Sequence, residues 1–413
     1  MSRYIQWTLL LVLLPVIVHS QTISISLDEA VELFKQNSLQ QELARYDWLR
    51  KQGEAIQYKA YPNPEVSVNR EQLNAGSIDY KETTYMVSQP IELLGQPFLR
   101  SRSASKSQRA AELQFEYDRL QLIRQVKALY AEYWQLSEKL DIYNEALEVI
   151  QKAQESAKER QVEGAFSGLQ VQRFNVELSR YRKQRDQVQL NLRQTGNLLA
   201  TYLFSGQELG TQIQVSDSLR VIPISLQEQT LIQHALANRA DLAALEQMVD
   251  ASELQYKVEK RNRLPDLNLN LGYKEQSDGA QGFVIGGSIK LPIFNQNRGN
   301  VTITRAQTHS RGTELTLKRQ AVRNQVETAY ERVELVFNQW ESMNEDSMNA
   351  SMLEAARAAY QQGRYSLVEL LDATQAYIDG QTMIYDTIAD YNQALFELDV
   401  QTAGRISILM SSQ

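Results

Sequence analysis

The sequence predicts a mainly α-helical chain that carries four β-strands and is built as a tandem duplication. Three observations carry this. Short motifs recur in the same order at an offset of about 200 residues. Apolar side chains repeat at alternating steps of four and three along about 65 residues that hold no Gly and, after Pro97, no Pro. Four segments of about ten residues alternate apolar and polar side chains.

The duplication rests on five anchors. Ile25-Ser26-Leu27 returns as Ile224-Ser225-Leu226, and Pro64-Glu65-Val66-Ser67-Val68-Asn69 as Pro265-Asp266-Leu267-Asn268-Leu269-Asn270. Pro90-Ile91 matches Pro292-Ile293, Tyr130 matches Tyr330, and Gly164 with Ser167 matches Gly363 with Ser366. The offsets drift only between 199 and 202, so the period marks a repeated structural unit. The first repeat is expected over 21–220 and the second over 221–413, after a leader at 1–20.

That leader has Arg3 at its start, a twelve-residue apolar run from Trp7 to Val18, and Val18-His19-Ser20 before a cleavage point. The pattern is that of a secretory signal, and the run is too short to span a bilayer as a helix. Removing it with Arg3 takes the net charge from −7 to −8. An acidic chain without a basic cluster is a poor partner for nucleic acid. The sequence has no Cys, so no lipid anchor through Cys is expected. Beyond residue 20 no apolar run reaches eighteen residues, which leaves a β-barrel as the only expected way to cross a membrane.

Each repeat reads as short helix, helix, two strands, very long helix, turn and long helix. Ser26 is placed to cap the first helix, whose first turn holds Asp28 and Glu29. Pro62 and Pro64 end the second helix, as Pro265 does in the second repeat. Strands follow at about 65–72 and 83–91, and at about 266–274 and 282–291. Leu267, Leu269, Leu271 and Tyr273 alternate cleanly with Asn268, Asn270 and Gly272, whereas Val66 and Val68 give the weakest pattern. Asn74-Ala75-Gly76-Ser77 and Ser277-Asp278-Gly279 supply hairpin turns. The alternation alone fits equally a pair of soluble hairpins packed on helices.

In the long helices Leu122, Val126, Leu129, Tyr133, Leu136, Leu140, Tyr143, Leu147 and Ile150 form a 3.5-residue seam. Val322, Val326, Ala329, Val333, Val336, Trp340 and Met343 repeat it. Such a seam implies left-handed winding against a neighbour, and the first helix would be about 100 Å long. Four strands do not close a membrane barrel, which begins at about eight, and an open sheet in lipid leaves backbone groups unpaired. Several copies must then share one barrel, and three give twelve strands with room for a lumen.

The whole chain after the leader resembles the TolC outer-membrane efflux protein family. ISLDEAVELFKQNS and ISLQEQTLIQHALANRADL resemble the opening of each repeat, YPNPEVSV and RLPDLNLN the entries into the strands, and SQPIELLGQPFLR and LPIFNQNRGN the exits to the long helices. The last is similar to the heavy-metal efflux branch. The resemblance implies a homotrimer in the outer membrane of a Gram-negative bacterium, with a twelve-stranded barrel continued by a periplasmic α-helical coiled-coil barrel. It also implies docking to a periplasmic adaptor protein and an inner-membrane pump of the resistance-nodulation-division or a related type. The expected function is the exit duct of a tripartite system for small molecules, drugs or metal ions. The alternatives are a periplasmic coiled-coil adaptor, which needs one hairpin rather than two, and an envelope scaffold, which leaves the strands unexplained.

No catalytic, cofactor or metal-ligand constellation is present in the sequence: beyond the leader only His234 and His309 occur, far apart. The helix-to-helix tips, near 163–168 and 362–367, pair a turn Gly with a Ser that caps the next helix. By resemblance Gly164, Ser167, Gly168, Gly363, Arg364, Ser366 and Leu367 meet the adaptor. GRYSLVELLDA is similar to the family's acidic aperture segment, which implies Glu369 and Asp372 as rings of carboxylates, with Tyr360 as a gate residue. The family's gating arginine position holds Tyr365 here.

Overall fold

The computed structural model describes residues 22–76, 78–92, 94–162, 167–204, 212–223, 227–343 and 350–406. The leader, Gly164 and the Ile224-Ser225-Leu226 anchor lie outside the described residues. The elements in chain order are β1 (Thr22–Ile25), α1 (Leu27–Asn37), α2 (Leu39–Lys59), β2 (Glu65–Ala75), β3 (Ile78–Ile91), α3 (Gln96–Val162) and α4 (Gly168–Leu203). They continue with β4 (Gln212–Val215), α5 (Glu228–Asn238), α6 (Ala240–Arg261), β5 (Asp266–Gln276), β6 (Gln281–Lys290), α7 (Arg298–Glu341), α8 (Ala350–Gln361) and α9 (Leu367–Gln401). The chain divides into two compact units, and α3 contributes to both.

One unit holds residues up to Leu39, Val126–Arg220 and Trp340–Asn392. Here α3 and α4 pack with α8 and α9 around Ile150, Phe174, Leu178, Tyr181, Leu370 and Ile378. The seam residues Val126, Leu129, Leu136, Leu147 and Ile150 are buried, and so is a second line with Tyr130, Trp134, Ala146 and Val149. A helix with two buried lines needs neighbours on two flanks. The unit also contains a parallel pair, β1 with β4, in the register Thr22 to Gln212 through Ile25 to Val215. Tyr130 donates its hydroxyl to the Ile25 carbonyl at 3.0 Å and ties α3 to that pair. Ser26 and Glu29 form a reciprocal capping box at the start of α1. Only four residues long on each side, β1 and β4 carry no alternation strong enough to read from sequence.

The second unit holds Gln40–Gln125, Val221–Gln339 and the chain beyond Gln393. Its sheet has the order β2-β3-β5-β6, antiparallel throughout. Its helices share a buried ionic centre. The Arg239 guanidinium contacts both Asp241 oxygens at 3.0 and 2.8 Å, Gln325 at 2.9 Å, Gln401 at 2.6 Å and the Tyr117 hydroxyl at 3.1 Å. Lys318 adds a second cation, 2.6 Å from Asp241. Burial raises the Asp241 pKa, but its hydrogen bonds and the charges of Arg239 and Lys318 outweigh that, so the net shift is downward.

One expectation for the second repeat changes. Its seam runs through Met343 in the sequence, but α7 ends at Glu341. The chain that follows reads Ser342-Met343-Asn344-Glu345-Asp346-Ser347. The Met343 N–H donates to the Trp340 carbonyl at 3.0 Å, a tighter three-residue bond that closes the last turn.

Candidate functional site

Residues directly opposite in a β-ladder share a face, so the register sorts the sheet into two sides. One side carries the rows Val66–Val87–Leu271–Ile285 and Val68–Tyr85–Tyr273–Phe283, then Ile91–Leu267–Ile289 further along. The other carries Glu65–Ser88–Asn270–Gly286 and Asn69–Thr84–Lys274–Gly282. The first is mainly apolar, with Gln89 as an exception, and the second mainly polar, with Met86 and Val284 as exceptions. The apolar side is not packed inside the chain: Phe283 is 88 % exposed and Ile285 76 %. It ends at an aromatic row, where Tyr273 and Phe283 meet edge-on with ring centroids 5.7 Å apart. The next row is Arg70–Thr83–Glu275–Gln281. An apolar band closed by aromatics and then by charges has the pattern of a bilayer-facing surface. On the polar side Gly272 lets the strands approach, since a Cβ there would sit 2.6 Å from the Tyr85 carbonyl oxygen.

The tips are built from caps. At the second tip the Arg364 N–H donates to the Ala359 carbonyl at 2.9 Å and the Gly363 N–H to Tyr360 at 3.0 Å, a Schellman closure of α8. It requires the positive φ of 72° at Gly363. Ser366 then opens α9: its hydroxyl accepts from the Glu369 N–H at 3.3 Å, and its own N–H donates to the Glu369 carboxylate at 2.6 Å. The first tip has the same box in amide form. Ser167 accepts from the Gln170 N–H at 3.4 Å, and Gln170 accepts from the Ser167 N–H at 3.1 Å.

Of the tip residues read from sequence, Ser167, Gly168, Gly363, Arg364 and Ser366 are exposed. Leu367 is buried at 5 % and belongs to the core of its unit, so it holds the hairpin together. Tyr360 is also core. Its ring lies edge-on to Phe174 with centroids 6.0 Å apart, and burial pushes its phenol pKa upward. Glu369 and Asp372 are exposed on α9. The backbone N–H of Ser366 lowers the Glu369 carboxyl pKa below its ordinary value.

Sequence reasoning did not single out Arg160, whose guanidinium donates to the Gln361 carbonyl at 2.6 Å and lies 6.0 Å from the Tyr360 ring centroid. It also passed over the exposed apolar residues Val162, Leu169 and Val368 around the tips. No periodic signal marks them, because each sits in the last or first turn of a helix.

Long paired helices together with a two-faced antiparallel sheet define the class of outer-membrane channel chains. The model of the outer membrane efflux proteins matches twice, over residues 28–203 and 231–403. The chain belongs to the outer membrane efflux protein family, a family of transport ducts rather than of enzymes. It is similar to the cobalt-zinc-cadmium resistance protein CzcC of Cupriavidus metallidurans, with 22 % identity over 364 residues, 84 % of this chain and 82 % of that protein. It is also similar to the nickel and cobalt resistance protein CnrC of the same organism, with 24 % identity over 295 residues and 67 % of each chain. Among solved structures it shares its fold with a membrane protein from Pseudomonas aeruginosa, at a TM-score of 0.78 and 18 % identity over 93 % of this chain and 94 % of that one. The channel CusC gives a TM-score of 0.75 at 17 % identity over 93 % of both chains.

Proposed function

We propose that three copies of this chain form the outer-membrane exit duct of a tripartite pump that expels divalent metal cations. The observation that carries this is the two-faced sheet. Among the described residues its outer edges, on β2 and β6, have no neighbour, and strand edges in lipid must be paired. Because β2 and β6 run antiparallel in an even-stranded sheet, the β6 of one copy continues naturally onto the β2 of the next. Three copies close twelve strands around the polar face, with the apolar face toward lipid. The two repeats, 21–220 and 221–413, then act as pseudo-equivalent halves of each subunit's wall.

Cargo is read from the relatives, whose names tie them to cobalt, zinc, cadmium and nickel. The cap residues Ser167, Gly168, Gly363, Arg364 and Ser366, with Gly164, form the rim offered to a periplasmic adaptor. The adaptor is coupled to a resistance-nodulation-division type inner-membrane pump. Glu369 and Asp372 of three copies make stacked carboxylate rings that favour cations in a narrow passage. The chain is a conduit and carries out no catalytic step.

The test is extraction and mass measurement. The duct should fractionate with outer membranes, need detergent for solubility and run as a homotrimer. A detergent-independent periplasmic monomer contradicts the reading.

A further inference from the structure

The helix-side border of the sheet holds side chains that neither the barrel nor the tips explain. Past β6 the chain reads Leu291-Pro292-Ile293-Phe294, and Phe294 is 99 % exposed with Ile293 at 65 %. In the first repeat the first turn of α3 presents Phe98 at 63 %. Arg102, one turn further along α3, lies with its guanidinium 5.6 Å from the centre of the Phe98 ring. Exposed Arg263 and Arg298 flank the same border, at the end of α6 and the start of α7.

Two acidic residues near this border are engaged by other groups, and two more lie on the opposite face of the sheet. Glu92 is held bidentately by Arg100 at 2.6 and 2.7 Å, and Glu259 accepts from Asn297 at 2.7 Å. Glu65 and Asp266 fall on the polar face of the sheet by register. The border therefore combines exposed aromatic and aliphatic groups with arginines for which no ion pair is found among the described residues, next to the end of the sheet where Ile91, Leu267 and Ile289 form the last apolar row.

Aromatic rings settle at the boundary between acyl chains and headgroups. Arginine lays its apolar stem along such a surface and keeps its charge at the phosphate level. We infer that this border, built around Phe98, Arg102, Arg263, Ile293, Phe294 and Arg298, is a docking belt for anionic phospholipid of the leaflet nearest the helices. The inference rests on the reading that the sheet lies in a bilayer. The belt fixes the depth at which the sheet sits, and it recruits phosphatidylglycerol-type headgroups through the arginines while the rings enter the acyl border.

The absence of Cys from the sequence makes single-cysteine labelling clean. Nitroxide is attached at Phe294→Cys, at Phe98→Cys and, as a control, at Ile285→Cys in the middle of the apolar face. The full chain is reconstituted in phosphatidylethanolamine vesicles with and without phosphatidylglycerol. The Ile285 label should be reached by oxygen far more than by a water-soluble nickel chelate. Labels at 294 and 98 should report an intermediate depth at the headgroup border. A label at 294 or 98 that reads as fully aqueous, or as immobilised against a second copy while Ile285 reads lipid, overturns the belt and leaves the membrane reading standing. An aqueous Ile285 overturns the membrane reading itself.

The charge arm uses spin-labelled phosphatidylglycerol against phosphatidylcholine. The unsubstituted protein should prefer the anionic lipid at least about fivefold, the ratio that one basic residue near an anionic surface supports. Arg102→Gln, Arg263→Gln and Arg298→Gln combined should bring the two lipids toward equality. An unchanged preference contradicts the inference.

Discussion

The two hairpin tips use one backbone device with different charge. Ser167 and Gln170 close the start of α4 as Ser366 and Glu369 close the start of α9, with the same pair of reciprocal hydrogen bonds. Three residues further on the tips differ again: Arg173 in the first repeat lies at the offset of Asp372 in the second. The cap geometry does not need a carboxylate, since the amide of Gln170 performs it. The acid at Glu369 is therefore free to serve a second purpose, and the difference between the tips separates folding from electrostatics.

The largest effect should come from breaking the second tip's turn. Gly363 has open space around its missing Cβ, so its constraint is the positive φ alone. Valine in that region costs about 1–2 kcal/mol and reshapes the turn. Cells with Gly363→Val should lose metal tolerance to the level of a deletion strain while trimers still form in detergent. Gly363→Asn, which tolerates a left-handed backbone, should keep most of it.

A smaller effect should follow from removing each cap. Ser167→Ala and Ser366→Ala should each weaken the first turn of the following helix by about 1 kcal/mol, read as roughly fivefold faster amide exchange there. A loss at only one tip would show that the two boxes are not equivalent in solution.

The smallest effect is acid sensitivity. The folded Glu369 carboxyl pKa is depressed by the Ser366 N–H, so its share of the second cap is present above the unfolded value and is lost as pH falls through the folded one. Protection of the α9 first turn should then drop on acidification relative to that of α4, whose Gln170 does not titrate. Glu369→Gln should remove the pH dependence and leave protection at neutral pH nearly unchanged.

Much of the architecture was legible because it is periodic. The alternation at Leu267, Leu269 and Leu271 located β5, and the 3.5-residue seam located α3. β2 reads poorly because its outward face turns to Arg70 and Gln72 after only two valines, and the structure extends it to Ala75. The turn Gly and the capping Ser are local signals and were readable at both tips. What escaped depends on partners distant in sequence. Arg239 finds Tyr117, Gln325 and Gln401, and Arg160 finds Gln361. Leu367 reads as a tip residue and Tyr360 as a gate residue, and what the sequence does not show is that the packing of α8 against α3, α4 and α9 buries both side chains.

The charge difference between the tips is tested most directly by ion selectivity in a planar bilayer. In the proposed trimer, three carboxylates at one level repel one another and are stable only where water and cations fill the centre. Glu369→Gln with Asp372→Asn removes those charges, and Gln170 shows that the cap survives the first change. At low salt, where screening does not shorten the reach of the rings to the ~10 Å expected at 0.1 M, the unsubstituted channel should be cation-selective and blocked by trivalent cations. The double variant should lose both properties with its trimer intact. Equal selectivity and equal block in the two proteins would contradict the account and place Glu369 and Asp372 on an outer, solvated face.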